Sequence, residues 1–252
     1  MAKIVYSVNN LASKNIAQTL IENFSLTGLA ELVETKSNIL EVPTDFETDL
    51  IIVPSTHKSE SNMKSLTVHA PGNWCNADFG GQSRTLNNAN ASKMKEILLS
   101  IDSQARGLSL GWQVCLEVDH HGPTCKAPIM FVEIGSTEKE WANSQAAQIL
   151  AQAIFDGLKN RKAHKCIFGV GGGHYAPLFS KIELNPDSPA MGHMLPKYRV
   201  DEVEYETFLQ GITKTVEKTE CVLIDWKGLT REQRDKIIGF CERAGIQWEK
   251  KR

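Results

Sequence analysis

Short runs of branched and apolar residues alternate with segments of helical periodicity, and this alternation is the strongest constraint on what the chain can fold into. The strand-like runs occupy residues 3–8, 49–54, 65–70, 112–119, 129–134, 165–170 and 220–226. Strands that alternate with helices favour an α/β architecture, with a mixed, largely parallel sheet flanked by helices. Since no internal repeat or low-complexity linker interrupts the sequence, we predict a single compact domain over residues 1–252.

Four segments have the apolar spacing of amphipathic helices: residues 11–24, residues 90–105, residues 138–159 and a stretch from Thr230 to about residue 244. Thr137 and Glu140 have the spacing of a capping box at the start of the third helix. Thr230 and Gln233 have the same spacing in the fourth, and Gly245 marks its end. These residues predict where the two helices begin and where the fourth one stops.

Composition and charge are those of an ordinary globular protein. Hydrophobic residues make up 41% of the chain and charged residues 23%, which excludes a disordered or fibrous protein. The longest apolar runs are far shorter than the roughly 20 residues that span a bilayer, and the N-terminus does not resemble a signal peptide. We therefore expect a cytoplasmic protein without a membrane partner. The formal net charge of −2 excludes a cationic field over the whole surface.

A local basic cluster lies at the predicted end of the third helix. It consists of Lys159, Arg161, Lys162, His164 and Lys165. Cations at the C-terminus of a helix complement the helix dipole, and the same charges could also bind the phosphates of a nucleic acid. Composition alone leaves both interpretations open.

Histidines follow several of the strand-like runs, at the points where the strands are predicted to end. His57, His69, His120, His121 and His174 all lie at such points, so this group contains five of the seven histidines in the chain. Ligands of α/β proteins bind in loops beyond the carboxyl ends of the strands. We therefore predict that the five imidazoles converge on one pocket.

The turn that begins at Asp119 is the richest of these positions. On an extended chain His120 and His121 would point to opposite faces. Both can enter one pocket only if the backbone turns, which the glycine and proline that follow them allow. A carboxylate from Asp119, or from Glu133 in the next strand, would fix an imidazole tautomer and raise its basicity. Such a pair suits a general base or a metal ligand, and no compact ligand spacing such as HExxH selects between them.

The glycine-rich run GVGGGHYAP at residues 169–177 matches no nucleotide-binding motif. It lacks the lysine of a P-loop, and His174 stands where a dinucleotide fingerprint has its third glycine. The peptide N–H groups of Gly171, Gly172 and Gly173 could instead hold a phosphate or a developing oxyanion. A tight turn that carries a surface histidine is the alternative interpretation.

Water is favoured as the attacking nucleophile over a side chain such as Thr124, because the chain lacks the GxSxG elbow of serine hydrolases. Asn73 and Trp74 follow a proline and a glycine in a predicted loop. They could hydrogen-bond to a ring or base and stack on it. Trp74 could also simply anchor that loop in the core.

Several motifs together resemble the archaeal and plant type of D-aminoacyl-tRNA deacylase. They are TVHAPGNW (67–74), EVDHHGPT (117–124), FVEIGSTEKEW (131–141), GVGGGHYAP (169–177) and MGHMLPKY (191–198). The early STHKSES (55–61) fits the same pattern. Because the motifs occur in order between about residues 50 and 200, the resemblance is more specific than any one of them.

The resemblance implies an esterase that removes a D-amino acid mischarged onto tRNA, as chiral proofreading in translation. It also implies a zinc-dependent monomer whose α/β core is similar to phosphorylases and peptidyl-tRNA hydrolases, with charged tRNA as its partner. The catalytic candidates are Asp119, His120, His121, Glu133 and His174. The candidate metal ligands are His57, His69, His120 and His174. The candidate substrate-binding residues are Asn73, Trp74, Thr124, Gly171, Gly172 and Gly173. Trp74 would meet the terminal adenosine, and the basic cluster would meet tRNA phosphates.

Other functions remain compatible with the sequence. A peptidyl-tRNA hydrolase or a metal-dependent amidohydrolase would use the same pocket to cleave an amide. A non-catalytic module that binds tRNA or a nucleotide would leave the histidine cluster without a role. A nucleoside phosphorylase is suggested by the fold alone, and a fold does not determine function.

Overall fold

A computed structural model describes residues 1–60 and 62–251 of the chain, so Ser61, the last residue of the STHKSES motif, lies outside the described residues. The strands are β1 (Ala2–Ser7), β2 (Ala30–Thr35), β3 (Ile51–Lys58), β4 (Ser65–His69), β5 (Gly72–Asn73), β6 (Thr85–Leu86), β7 (Gln113–Leu116), β8 (Ile129–Ser136), β9 (Cys166–Val170), β10 (Ala190–Leu195), β11 (Thr219–Asp225) and β12 (Gln247–Lys251). The helices are α1 (Leu11–Asn23), α2 (Ala91–Gly107), α3 (Glu138–Trp141), α4 (Ser144–Lys159), α5 (Pro177–Glu183), α6 (Tyr205–Thr213) and α7 (Arg231–Ala244). Short 3-10 helices lie at Ile39–Glu41 and Lys197–Arg199.

The longer strands form two sheets. Six of them pair in the order β2-β1-β3-β8-β4-β7, with β8 and β4 antiparallel and the other neighbours parallel. Four more pair in parallel in the order β10-β9-β11-β12. The predicted α/β fold with mixed, largely parallel pairing is confirmed. The division into two sheets was not predicted, because β10 contains a glycine and a histidine and β12 (QWEKK) is mostly polar.

Helices α1, α2 and α4 pack on one face of the six-stranded sheet and form the largest core with it. Met130, Val132 and Ile134 of β8 point into this core, so the odd-numbered residues of β8 face the other side. Within residues 1–60 and 62–251, no helix is both long enough and apolar enough to cross a membrane.

The predicted third helix is interrupted, which corrects its boundaries. The chain forms α3 and then α4, because the side chain of Asn143 accepts a hydrogen bond from the Ala146 N–H and starts a new helix. Thr137 and Glu140 bond to each other through their side chains, and Thr137 does not cap the backbone. The capping box of Thr230 in the last helix is confirmed, as is its end at Gly245.

The strand predicted over residues 112–119 ends early, at Leu116. Beyond it the chain leaves the six-stranded sheet and bonds to the second sheet. The Val118 N–H donates to the His174 carbonyl at 3.0 Å, and the Asp119 N–H donates to the Met194 carbonyl at 3.3 Å. Residues 118 and 119 therefore connect the six-stranded sheet to the loops and strands of the second sheet.

The contact between α2 and α4 generates a prediction about stability. A Cβ atom at Gly157 of α4 would lie 2.3 Å from Cγ1 of Ile97, so Gly157→Ala overpacks the interface. We expect the free energy of unfolding to fall by about 1–3 kcal/mol, measured by urea denaturation. The control is Gly239→Ala in α7, where a Cβ atom meets open space, and it should gain roughly 0.5–1 kcal/mol from helix propensity. Equal effects of the two substitutions would contradict this packing.

Candidate functional site

The site is built on the face of the six-stranded sheet that points away from helices α1, α2 and α4. Glu133 of β8 is directly opposite Ser55 of β3 and Thr67 of β4. His57 and His69 each lie two residues further along their strands, so the pleat places both rings on the same face as Glu133. β3 and β4 run in opposite directions, so His57 and His69 do not lie at the same end of the sheet. They meet because both side chains project from the same face of it.

A glycine makes room for His57 on this face. Gly135 of β8 is the register partner of His57. A Cβ atom at position 135 would lie 2.5 Å from Oγ of Ser65 and 3.1 Å from Cδ2 of His57. A larger residue would therefore clash with Ser65 and crowd the His57 ring.

His120 and His121 both enter the site, because the backbone turns at His121. This residue has φ +52°, a left-handed conformation that is uncommon in a non-glycine residue. The two rings lie 4.4 Å apart between centroids, and His69 lies 4.6 and 4.9 Å from them. The turn that the sequence allowed thus brings the two rings and His69 together.

His174 reaches the same place from the second sheet. The chain turns after β9 through Gly171 (φ +116°) and Gly172 (φ +76°), and Nε2 of His174 then lies 2.9 Å from Oε2 of Glu117. The His174 ring is 4.6 Å from that of His120 and 5.2 Å from that of His57. The structure therefore brings all five predicted histidines into one cluster.

Sequence reasoning missed Glu117, the carboxylate at the centre of this cluster. Glu117 is fully buried, and its Oε2 also lies 3.1 Å from Nδ1 of His57 and 3.5 Å from Nε2 of His120. Its position within the EVDHHGPT motif was the available signal. The predicted strand through residue 119 favoured Asp119 instead.

Asp119 does not orient His120 or His121, which corrects the prediction. Its carboxylate accepts hydrogen bonds from Nδ1 of His193 at 2.7 Å and from the Met194 N–H at 2.5 Å. Asp119 thus connects the turn that contains His120 and His121 to β10, in which His193 is fully buried.

Electrostatics divide the histidines into two kinds. Burial lowers the pKa of His57, but hydrogen bonds to Glu117 and Glu133 outweigh burial and raise it to about 11. Burial raises the pKa of Glu133, and hydrogen bonds from His57 and His69 lower it to about 2. By contrast, burial and the neighbouring imidazoles lower the pKa of His121 to about 4 and that of His120 well below its usual value. His57 is therefore a cation between two carboxylates, while His120 and His121 are neutral.

Three of the rings are arranged as metal ligands. Nδ1 of His69, His120 and His121 contacts a backbone carbonyl, at 3.2, 2.8 and 2.5 Å respectively. A carbonyl only accepts hydrogen bonds, so Nδ1 carries the proton and Nε2 of a neutral ring keeps its lone pair. Metal-bound histidines have this arrangement, and one ligand atom from each ring lies within 4.8 Å of the others. Nε2 of His69 faces Oε2 of Glu133 at 3.6 Å. Burial lowers the pKa of His69, but the interaction with Glu133 outweighs burial and raises it, so a cation at this ring would compete with a proton on Nε2.

A second group of the same kind consists of His57, Glu117 and His174. All four histidines predicted as metal ligands belong to one group or the other. In this second group, however, the nitrogens that approach Glu117 are already paired with its carboxylate. The group of His69, His120 and His121 therefore fits a cation better.

A cavity of about 240 Å³ opens beside the cluster. Its wall includes the buried Asp119 and His121, the partly exposed His120, His174 and Arg199, and the exposed Phe79 and Tyr198.

The predicted substrate-binding residues are placed differently from the expectation. Trp74 lines the cavity but is only 3% exposed, because its ring stacks on Phe168 with 5.5 Å between centroids and its Nε1 donates to the Met194 carbonyl. The structure does not support stacking on a base by Trp74. Asn73 also lines the cavity, yet its amide donates to two backbone carbonyls of its own loop.

The remaining substrate-binding candidates have structural contacts. The cavity wall formed by the described residues does not include Thr124, Gly171, Gly172 or Gly173. The Thr124 hydroxyl accepts a hydrogen bond from the Gln82 N–H. The Gly171 N–H donates to the Leu195 carbonyl, so it is not available to an oxyanion. The glycines instead shape the turn that delivers His174.

The basic cluster at residues 159–165 lies away from the cavity. It precedes β9, whereas His174 follows the opposite end of that strand. Two of its members are paired with acids, His164 with Glu96 at 2.5 Å and Lys165 with Glu220 at 3.2 Å. The geometry does not place this cluster beside the end of a substrate bound in the cavity.

The family model for D-aminoacyl-tRNA deacylase matches residues 44–249. The chain belongs to the D-aminoacyl-tRNA deacylase family. The resemblance of its motifs is confirmed, and the match extends beyond them on both sides.

Known relatives match this deacylase over almost their whole length. The D-aminoacyl-tRNA deacylase of Pyrococcus furiosus is 36% identical, over 95% of this chain and 96% of that protein. The D-aminoacyl-tRNA deacylase of Methanocaldococcus jannaschii is 37% identical, over 98% of each chain. A crystal structure of a conserved protein of unknown function superimposes with a TM-score of 0.90 at 28% identity, over 99% of this chain and 95% of that chain.

The charge distribution generates a prediction about protonation in the metal-free deacylase. The ring of His57 should stay protonated as the pH rises from 6.5 to nearly 11, since a group is protonated below its pKa and that of His57 is raised to about 11. His121 should titrate at about 4 and be neutral throughout this range. Ring resonances followed by NMR against pH would measure both. The urea-unfolded chain is the control, in which every histidine should titrate near 6.5. A midpoint near 6.5 for folded His57 would contradict the pairing with two carboxylates.

Proposed function

We propose that this chain hydrolyses the ester bond between a D-amino acid and the 3′ end of tRNA, releasing the free D-amino acid and tRNA as chiral proofreading in translation. One observation carries the proposal. In a member of the deacylase family, five imidazoles and two buried carboxylates meet beside a cavity that is open to solvent.

His174 is the general base in this proposal. Its side chain is 34% exposed and lines the cavity, and Nε2 donates to Oε2 of Glu117 at 2.9 Å. Burial raises the pKa of Glu117, but hydrogen bonds from His174 and His57 lower it well below its usual value, so Glu117 is ionised. An ionised carboxylate only accepts hydrogen bonds. Nε2 of His174 therefore carries a proton, and in the neutral ring Nδ1 has the lone pair that can take a second one.

The proton transfers follow from this tautomer. Nδ1 of His174 removes a proton from water as the water oxygen attacks the ester carbonyl carbon. A tetrahedral intermediate with a negative oxygen results. The imidazolium of His174, stabilised by Glu117, then gives its proton to the ribose oxygen as the bond from carbon to that oxygen breaks. His174 returns to its starting state.

His57 and Glu133 support this pair without entering the cavity wall. The charged ring of His57 lies 3.1 Å from Glu117 and 3.6 Å from Glu133, so it offsets both negative charges. Glu133 in turn lies 3.6 Å from Nε2 of His69. Their role is to keep Glu117 ionised and to hold the rings in place.

We also propose zinc as the cofactor, which the family resemblance implies. The residues fit it, because His69, His120 and His121 present one imidazole nitrogen each, the kind of ligand that zinc prefers, within 4.8 Å of one another. The pKa values of His120 and His121 are lowered, so these two rings are neutral. These three would hold the ion, and His120 and His121 reach the cavity. When bound, zinc would act as a Lewis acid that stabilises negative charge on the ester carbonyl oxygen.

The remaining expectations follow from the substrate. Charged tRNA takes part in translation, so we place the enzyme in the cytoplasm. We also propose that it acts as a monomer, as the family resemblance implies.

The catalytic role of Glu117 can be tested against a matched buried glutamate. Glu117→Gln should lower kcat for D-tyrosyl-tRNA about 100-fold, because it removes the charge that stabilises the His174 imidazolium. Glu183 is equally buried but lies outside the site, and burial raises its pKa to about 8, so Glu183→Gln mimics its neutral form and should leave kcat unchanged. Released D-tyrosine measures the rate. Equal rates for wild type and Glu117→Gln would remove this assignment, and equal hydrolysis of L-tyrosyl-tRNA would remove the proofreading role.

Zinc binding and proton transfer can be separated with two histidine variants. His121→Ala should lose both zinc and activity, whereas His174→Ala should keep zinc and lose activity. Elemental analysis of the purified proteins measures the metal, and a chelator should abolish wild-type turnover until zinc is added back. Loss of zinc from His174→Ala with retention in His121→Ala would assign the ion to the other group. Full activity of the metal-free enzyme would exclude a catalytic metal.

A further inference from the structure

Two large aromatic side chains stand exposed at the mouth of the catalytic cavity. Phe79 is 66% exposed and Tyr198 is 49% exposed, and both line the cavity that contains His120 and His174. Aromatic rings supply much of the binding energy where proteins recognise partners, and most are buried when they have no such role. Their place beside the catalytic histidines indicates contact with the substrate.

An ion pair joins the two loops that carry these aromatic residues. Phe79 lies between β5 and β6, and Tyr198 lies in the 3-10 helix after β10. Next to them in sequence, Asp78 and Arg199 approach to 3.5 Å. Arg199 also pairs with Glu202 at 3.2 Å, which limits its movement. The ion pair thus connects the two loops that carry the rings.

Backbone hydrogen bonds connect each loop to a histidine segment. The Phe79 carbonyl accepts from the N–H of Gly122, the residue after His121, at 2.9 Å. The N–H of Lys197, the residue before Tyr198, donates to the Gly172 carbonyl at 3.0 Å, two residues before His174. We call Phe79 and Tyr198 the rim of the cavity. The backbone hydrogen bonds connect the rim to the catalytic residues, so a group bound on the rim has a defined position relative to His174.

The chemistry of the substrate identifies what lies there. In an aminoacyl-tRNA the ester oxygen belongs to the terminal ribose, and the same ribose carries an unpaired adenine. With the ester carbonyl carbon beside His174, the ribose and adenine lie further along the same cavity, whose wall includes Phe79 and Tyr198. Unpaired bases are recognised by stacking on aromatic side chains. Trp74 cannot do this, since Phe168 covers its ring.

We propose that Phe79 and Tyr198 bind the terminal adenosine of tRNA and thereby position the ester at His174. This inference rests on the proposed deacylase function and adds to it the part of the enzyme that recognises the leaving alcohol. Tyr198 and Phe79 are positioning residues, because they touch the substrate away from the reacting atoms. The amino-acid side chain is the alternative occupant of the same rim, and a comparison of D-tyrosyl with D-alanyl groups separates the two.

The first experiment compares two esters with the same acyl group, 3′-O-D-tyrosyl adenosine and D-tyrosine methyl ester. Wild type should prefer the adenosine ester in kcat/KM. Phe79→Ala and Tyr198→Ala should each reduce that preference about tenfold, mainly through KM, because each removes a ring on which the base stacks. Tyr198→Phe keeps the ring and should keep the preference. Ile21→Ala, at a residue 58% exposed on α1 away from the cavity, is the matched surface control and should match wild type.

The second experiment measures binding without turnover. Wild type should bind uncharged tRNA about tenfold more tightly than the same tRNA lacking its terminal adenosine, and the two alanine variants should bind both equally. Unchanged preferences in both alanine variants would overturn the proposal. A loss that is equal for the two esters, but larger for D-tyrosyl than for D-alanyl groups, would assign the rim to the amino-acid side chain and also overturn it. Failure of wild type to hydrolyse D-tyrosyl-tRNA would instead overturn the proposed function, while the binding data would still decide the role of the rim.

Discussion

Two buried carboxylates, Glu117 and Glu133, are the constraint on which the site depends. An unpaired charge in a protein interior costs several kcal/mol, and both side chains are nearly inaccessible to water. His57 relieves this cost, because its charged ring lies within 3.6 Å of both. Because Gly135 has no side chain, the His57 ring can lie against the sheet at this position. The left-handed turn at His121 brings further rings to the same carboxylates.

Sequence reasoning predicted the assembly of the histidines but not the carboxylate at their centre. Histidines just after strand-like runs are visible in the sequence, and the α/β fold with its mostly parallel pairing follows from the alternation of elements. The choice between Glu117 and Asp119 depended on where β7 ends. β7 ends where residues 118 and 119 donate hydrogen bonds to the carbonyls of His174 and Met194. These partners are distant in the chain, so the local sequence pattern around residue 117 does not predict them.

The aromatic residues show the same limit. Trp74 lies in a polar loop motif and was expected to stack on a base. Its burial depends on Phe168, which comes from β9 of the other sheet. Phe79 lies outside every motif of the sequence analysis, and Tyr198 ends the MGHMLPKY motif without an assigned role, yet both remain exposed at the cavity mouth. The residue type shows that each of these aromatic rings could stack on a base. Which ring is exposed for stacking depends on how the two sheets pack.

The two sheets divide the work of the site between them. The six-stranded sheet supplies Glu133, His57 and His69 from regular strands, where neighbouring backbones hold the charged groups in fixed positions. The loops of the second sheet supply His174 and Tyr198, which face the cavity. Catalysis requires charges that do not rearrange during the reaction, and substrate binding requires access from solvent. The strands therefore suit the buried ion pairs, the loops suit the groups that touch the substrate, and the junction at residues 117–121 connects the two.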